Sequence, residues 1–124
     1  MQIIISNSSD KPIYEQIEES LKEKIITGEL MGGEVLPSIR NLAKDLKISV
    51  ITTKRAYEEL EHDGFIESIP GKGFFVKTKS NELLKEEVLK RIEEELERAV
   101  VLSKTYGIEK QEIKYILDYL YEEE

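Results

Sequence analysis

Apolar residues recur at every fourth position through Ile13, Ile17, Leu21 and Ile25, with charged residues filling the gaps between them. That spacing lays one apolar stripe along a helix. Pro12 suits the first turn of such a helix, where a backbone N–H would have no partner. Gly28 is placed to stop it in a left-handed cap. The lead at 1–9 has no periodicity beyond Ile3-Ile4-Ile5 and reads as extended chain, at most one strand. Over 29–37 the pair Gly32-Gly33 and Pro37 both oppose helix, so the segment reads as a loop. The stripe resumes after Ser38, an N-cap candidate, with Ile39, Leu42, Ala43 and Leu46 on the inner face of a short second helix. A tight turn at Lys47-Ile48 follows. Ser49 then caps a third helix running to about residue 63, whose inner face is Thr53, Ala56, Tyr57 and Leu60. Gly64 ends it.

The period then changes. Residues 65–69 and 74–77 are β-prone runs on either side of Pro70-Gly71-Lys72-Gly73, which predicts a hairpin. Thr78-Lys79-Ser80-Asn81 reads as a polar linker and helix cap. A long helix is predicted over about 82–106, with Leu84, Val88, Ile92, Leu96 and Ala99 or Val100 as its stripe. Gly107 stops it, and a last helix over 110–121 turns Ile113, Ile116, Leu117 and Leu120 inward. The fold class is therefore mainly α with a small β-hairpin wing. A winged helix-turn-helix occupies 1–79, and two C-terminal helices occupy 80–124.

Composition narrows the function classes. A chain of 124 residues holds one compact domain or a small domain with an appendage. With 40% hydrophobic and 35% charged residues it should fold on its own. It has no cysteine, which removes disulfides, thiolate zinc sites and thiol catalysis, and suits a reducing compartment. No apolar run is long enough to cross a bilayer, and no basic-then-apolar leader opens the chain. The expected location is the cytoplasm, with no membrane partner. No nucleophile–base pair or metal cluster is visible, so neither an enzyme nor a cofactor or metal site is expected.

A net charge of -8 is unusual for a chain that meets phosphates, but its distribution is uneven. Over 36–79 eight bases face six acids, whereas from residue 80 onward seven bases face thirteen acids. A basic middle between acidic flanks can still approach a phosphate backbone.

Two short helices followed at once by a glycine-tipped hairpin make a DNA-reading unit. Its second helix enters the major groove and touches base edges mainly through N-terminal residues. With 53, 56, 57 and 60 buried, Ile51, Thr52, Lys54, Arg55 and Glu58 lie on or near the outer face. Arg40, at the start of the preceding helix, has the reach to fork onto a guanine or clamp a phosphate. Gly71-Lys72-Gly73 allows close backbone approach to the duplex and supplies one cation. Lys72 precedes its glycine, unlike the lysine of a nucleotide-binding phosphate loop. His62 reads as a surface residue near a helix end. Glu93-Glu94-Glu95-Glu97 reads as a solvated helix face. Tyr106, Tyr115, Tyr119 and Tyr121 read as a cover for a dimer core, with a small aromatic-ligand pocket as the other reading.

These motifs resemble the GntR family of bacterial transcription regulators. The resemblance rests on Pro12-Ile13-Tyr14-Glu15-Gln16-Ile17, Gly28-Glu29, Leu36-Pro37-Ser38-Ile39-Arg40-Asn41-Leu42-Ala43, Thr52-Thr53-Lys54-Arg55-Ala56-Tyr57-Glu58-Glu59-Leu60, Asp63-Gly64 and Gly71-Lys72-Gly73-Phe74-Phe75-Val76. They cover residues 10–77 in order. The short two-helix remainder is similar to the small YtrA-like branch of that family. The resemblance implies a sequence-specific repressor that binds a palindromic operator in double-stranded DNA as a homodimer, often of a transporter operon. It carries DNA contact onto Arg40, Ser49, Thr52, Lys54, Arg55, Lys72 and Gly73. It places the dimer interface on the C-terminal helices, at Leu84, Val88, Ile92, Leu96, Val100, Ile113, Ile116, Leu117 and Leu120. A small-molecule effector is left open and unidentified. Two departures stand out. Val50-Ile51 replace an Arg or polar residue of many relatives, and Met31-Gly32-Gly33 replaces a more polar, proline-containing loop. A protein-interaction module that has lost specific DNA binding is the alternative, supported by Val50-Ile51 and the overall acidity.

Overall fold

Ile17 and Leu21 have no exposed surface and Ile25 almost none, so the first apolar stripe is the floor of the core. It belongs to α1 (Ile13–Ile26), followed by α2 (Ile39–Leu46), α3 (Val50–His62), the strands β1 (Ile66–Ile69) and β2 (Gly73–Val76), α4 (Asn81–Thr105) and α5 (Lys110–Glu122). The computed structural model describes residues 1–78 and 81–123, except for the side chain of Asn81. Of the linker read over 78–81, Lys79 and Ser80 lie outside the described residues, as does Glu124 of the acidic tail. Among the described residues the fold is the expected one, five helices with a two-stranded hairpin after the third. The chain forms two compact units, Met1–Asn81 and Glu82–Glu124.

In the first unit α3 packs on both α1 and α2. Leu42, Ala56, Leu60, Phe65, Ile66 and Val76 close the core over the α1 stripe. The hairpin pairs antiparallel with Ile66 opposite Val76 and Ile69 opposite Gly73. Two local readings need correction. Pro12 does not enter the first turn. Its extended ψ of 150° makes it the N-cap, and its carbonyl accepts from the N–H groups of Glu15 at 3.1 Å and Gln16 at 3.2 Å. The lead forms no strand, yet Ile3 is buried in the core. Gln16 pins it there, accepting from the Ser6 N–H at 2.8 Å and donating to the Ser6 carbonyl at 3.0 Å.

The segment 29–37 is more than a loop. Gly33 N–H donates to the Val76 carbonyl at 2.7 Å, Val76 N–H to the Glu34 carbonyl at 2.8 Å, and Leu36 N–H to the Phe74 carbonyl at 2.8 Å. Val35 thus forms a bridge opposite Phe75 and gives the hairpin a short third partner. The two glycines before it are what this pairing requires. A Cβ on Gly32 would stand 2.6 Å from Thr78 Oγ1 and 3.2 Å from Thr78 Cα, and Gly33 has a φ of +87°. The departure at Met31-Gly32-Gly33 is therefore a matter of backbone clearance.

In the second unit no residue of α5 is buried, and Ile113 is only half-buried. Leu84 and Val88 of α4 are half-buried, but Ile92, Leu96, Val100, Ile116, Leu117 and Leu120 are each between 43% and 58% exposed. An open apolar groove of about 590 Å³ lies between α4 and α5, lined by Leu96, Leu102, Ile113, Ile116, Leu117 and Leu120 among others. Of the four tyrosines of this unit, only Tyr106 lines it; Tyr115, Tyr119 and Tyr121 are exposed elsewhere. No helix among the described residues is long and apolar enough to cross a membrane.

One buried charge makes the first unit sensitive to pH. Glu18 of α1 is buried, and that burial, more than any neighbour, raises its carboxyl pKa above the ordinary value. Glu59 of α3, Asp63 just after it and Glu15 of α1 push the same way, while Lys22 partly offsets them. A folded-state pKa above the unfolded one means the ionised form weakens the fold as pH rises through it. Glu18→Gln should therefore stabilise the protein near neutral pH relative to its effect in acid. The gain should shrink toward zero as acid protonates Glu18 in both states. Urea unfolding of both proteins near pH 7 and near pH 4 checks this, and a gain that grows in acid would reverse the sign.

Candidate nucleic-acid interface

The geometry of the interface begins with Tyr57, a side chain that solvent does not reach. Its hydroxyl donates to the Pro37 carbonyl at 2.8 Å, just ahead of α2. Its ring meets the Phe74 ring of β2 edge to face, with centroids 5.0 Å apart. Burial pushes the phenol pKa well up, so it stays a donor throughout the range in which proteins fold. One residue of α3 thereby ties together the entry to α2 and the wing strand.

The turn between α2 and α3 is short because Lys47 takes a left-handed conformation, φ +57°, uncommon outside glycine. Its N–H and that of Ile48 then close onto the Lys44 and Ala43 carbonyls at 3.2 and 3.0 Å. Both N-cap readings hold. Ser38 accepts from the Asn41 N–H at 3.1 Å, and Ser49 from the Thr52 N–H at 3.0 Å. Ser49 also donates its hydroxyl proton to Thr52 Oγ1 at 2.8 Å, so these two candidates are bonded to each other.

Around this frame stand the cations. Arg40 is the second residue of α2 and Lys44 lies one turn later; both are exposed. Lys72 is exposed at the hairpin tip, where its N–H donates to the Ile69 carbonyl at 2.9 Å across Pro70 and Gly71. The positive φ of Gly71, +77°, is what a proline-led turn of this kind demands. Among the described residues, none of these three cations has a carboxylate partner. Lys54 Nζ is 3.9 Å from Glu58 Oε1, both ends open to water, a contact of little energetic weight. Arg55 is placed differently. Its guanidinium lies over the Tyr14 ring of α1, 3.8 Å from the centroid, which fixes it on the α1 side of α3. Sequence periodicity had no means of finding that stack, since Tyr14 carries no helical-stripe signal of its own.

The arrangement has cations on α2 and the wing tip with no carboxylate partner among the described residues, and a helix whose first two residues are open to solvent. Val50 and Ile51 at that turn are 46% and 80% exposed. The described residues hold no group of three His, Asp or Glu side chains set to bind a metal ion.

Comparison with known proteins agrees with this geometry. The family described as bacterial regulatory proteins, gntR family, matches residues 13–76. The HTH-type transcriptional repressor YtrA of Bacillus subtilis is 33% identical over 111 residues, spanning 90% of this chain and 85% of that protein. A GntR family transcriptional regulator from Listeria monocytogenes superposes with a TM-score of 0.74 at 30% identity, covering 97% of this chain and all 100% of the other. A structure of AraR(DBD) in complex with operator ORE1 matches 61% of this chain and 93% of that one, with a TM-score of 0.52 and 25% identity.

Proposed function

The chain belongs to the gntR family of bacterial regulatory proteins, and on that premise we propose that it is a repressor that binds a palindromic DNA operator as a homodimer. As a member of that family it is a DNA-binding transcriptional regulator of the YtrA-like branch and not an enzyme. The observation that carries the finer reading is the set of cations Arg40, Lys44 and Lys72 on the helix-turn-helix and wing, which have no carboxylate partner among the described residues. Lys54 and the Tyr14-held Arg55 join them on α3. Thr52, bonded to Ser49, and the tip glycine Gly73 complete the contact set. Bacillus subtilis YtrA is itself named a repressor, and this chain matches nearly its whole length. Control of a transporter operon is the target we assign, and the cytoplasm the place of action.

The homodimer rests on the second unit. Six of the nine residues assigned to the interface, Ile92, Leu96, Val100, Ile116, Leu117 and Leu120, are about half exposed on one chain, and a bare apolar surface of that kind is an association surface. A second copy related by a two-fold axis covers it and sets two recognition helices about 34 Å apart or a multiple of it, which demands a palindromic site.

Three outcomes check this reading. A dimer that makes roughly six to ten phosphate contacts should lose about 10³–10⁵-fold in affinity between roughly 50 and 200 mM salt. Titration by fluorescence anisotropy measures that slope, and a flat one leaves only the interaction-module reading. Arg40→Ala should cost about 1–3 kcal/mol and relax preference at one base pair per half-site, while Lys72→Ala weakens all sequences about equally. An Arg40→Ala protein with unchanged preference would make Arg40 a phosphate clamp. A truncation ending near Lys79 should be monomeric by light scattering and bind its operator roughly 10²–10⁴-fold more weakly. A truncated chain that still dimerises would put the interface elsewhere.

A further inference from the structure

We propose that Ile51, with Val50 beside it, reads thymine methyl groups on the floor of the major groove. The inference rests on the DNA-binding reading above and names what its recognition helix recognises.

A single exposed isoleucine on a protein surface is ordinary. This one has a defined place. Ile51 is nine residues from the fully buried Leu60, about two and a half helical turns, so it points directly away from the core. It is 80% exposed, and it sits in the first turn of α3, the part of a recognition helix that meets base edges. The neighbours one turn on, Lys54 and Arg55, are both cations, and Arg55 is held in position by the Tyr14 ring. An apolar tip flanked by positive charge matches a groove with phosphate walls and an apolar group on its floor.

The major groove offers one such group. None of guanine, adenine and cytosine carries a methyl group there, whereas thymine adds its C5 methyl. Polar readout at this tip is also reduced, because Ser49 Oγ donates to Thr52 Oγ1 at 2.8 Å and also accepts the Thr52 N–H. The most prominent side chain at the helix tip is therefore an aliphatic one. Each contacted methyl buries roughly one carbon's worth of apolar surface, about 0.8 kcal/mol, which is about fourfold in affinity.

The test starts from selection of duplexes out of a random pool by the full-length protein. The enriched half-site should contain thymine at one or two fixed positions. Synthetic duplexes with deoxyuridine at those positions, which lack only the methyl, should then bind about fourfold more weakly for each methyl removed. Ile51→Ala should lose most of the thymine–uracil difference at the position that Ile51 contacts, with an unchanged circular dichroism spectrum and thermal midpoint. Equal binding of the two duplexes by the unaltered protein overturns the inference, as does an Ile51→Ala protein that keeps the full difference. Enrichment without thymine dependence overturns this inference alone. A pool that yields no enriched sequence overturns the DNA-binding reading as well.

Discussion

The recognition helix packs on α1 and α2, and it is its buried Tyr57 that ties it to the entry of α2 and to the wing together. A buried hydroxyl without a partner costs far more than a bonded one returns, so the bond to the Pro37 carbonyl fixes both ends at once. The carbonyl belongs to the residue before the Ser38 cap of α2, and the same ring leans on Phe74 of the wing. A shift of α3 along its axis would break the hydrogen bond, and a shift of β2 would open a void beside the ring. The Tyr57 side chain is thus shared by the helix that reads and the wing that flanks it, in addition to the packing of α3 on α1 and α2.

The elements were legible in the sequence because their signals are local. The stripe at Ile17, Leu21 and Ile25, and the serine caps at 38 and 49, need only a few neighbouring residues to declare themselves. What was hidden is non-local. Val35 pairs with Phe75, forty residues on, and only two β-prone residues stand between the glycine pair and Pro37 to announce it. Ile3 is buried because Gln16 holds the lead by its backbone, and the stack of Arg55 on Tyr14 joins two helices far apart in the chain. Pro12 was misplaced by one position because its ring fixes φ and leaves ψ free to end extended. The stripe of α4 and α5 was equally plain in the sequence, and the single chain leaves most of it uncovered.

The candidate interface was legible as a set of residue types more than as a set of contacts. Arg40, Lys54 and Lys72 could be picked out by position, whereas the state of each depended on the structure. Lys54 faces Glu58, Arg55 is committed to an aromatic face, and the Ser49 and Thr52 hydroxyls are bonded to each other. The acidic surplus of the chain lies mostly outside the segment that carries these residues. Acidity in one part of a chain and phosphate affinity in another are compatible because screening confines such charges to about 10 Å in ordinary salt.

The third pairing partner has a consequence for how copies of this chain can associate. β2 has a neighbour on both sides, Val35 on one and β1 on the other. The outer edge of β1 is only four residues long, carries the exposed Glu67, and has its Ser68 N–H already taken by Glu61 Oε2 at 2.9 Å. The opposite edge is a single bridge that runs into Pro37, which has no N–H to offer. Neither edge is a usable template for a foreign strand. A chain that exposes this much aliphatic surface is thereby kept from polymerising through its backbone.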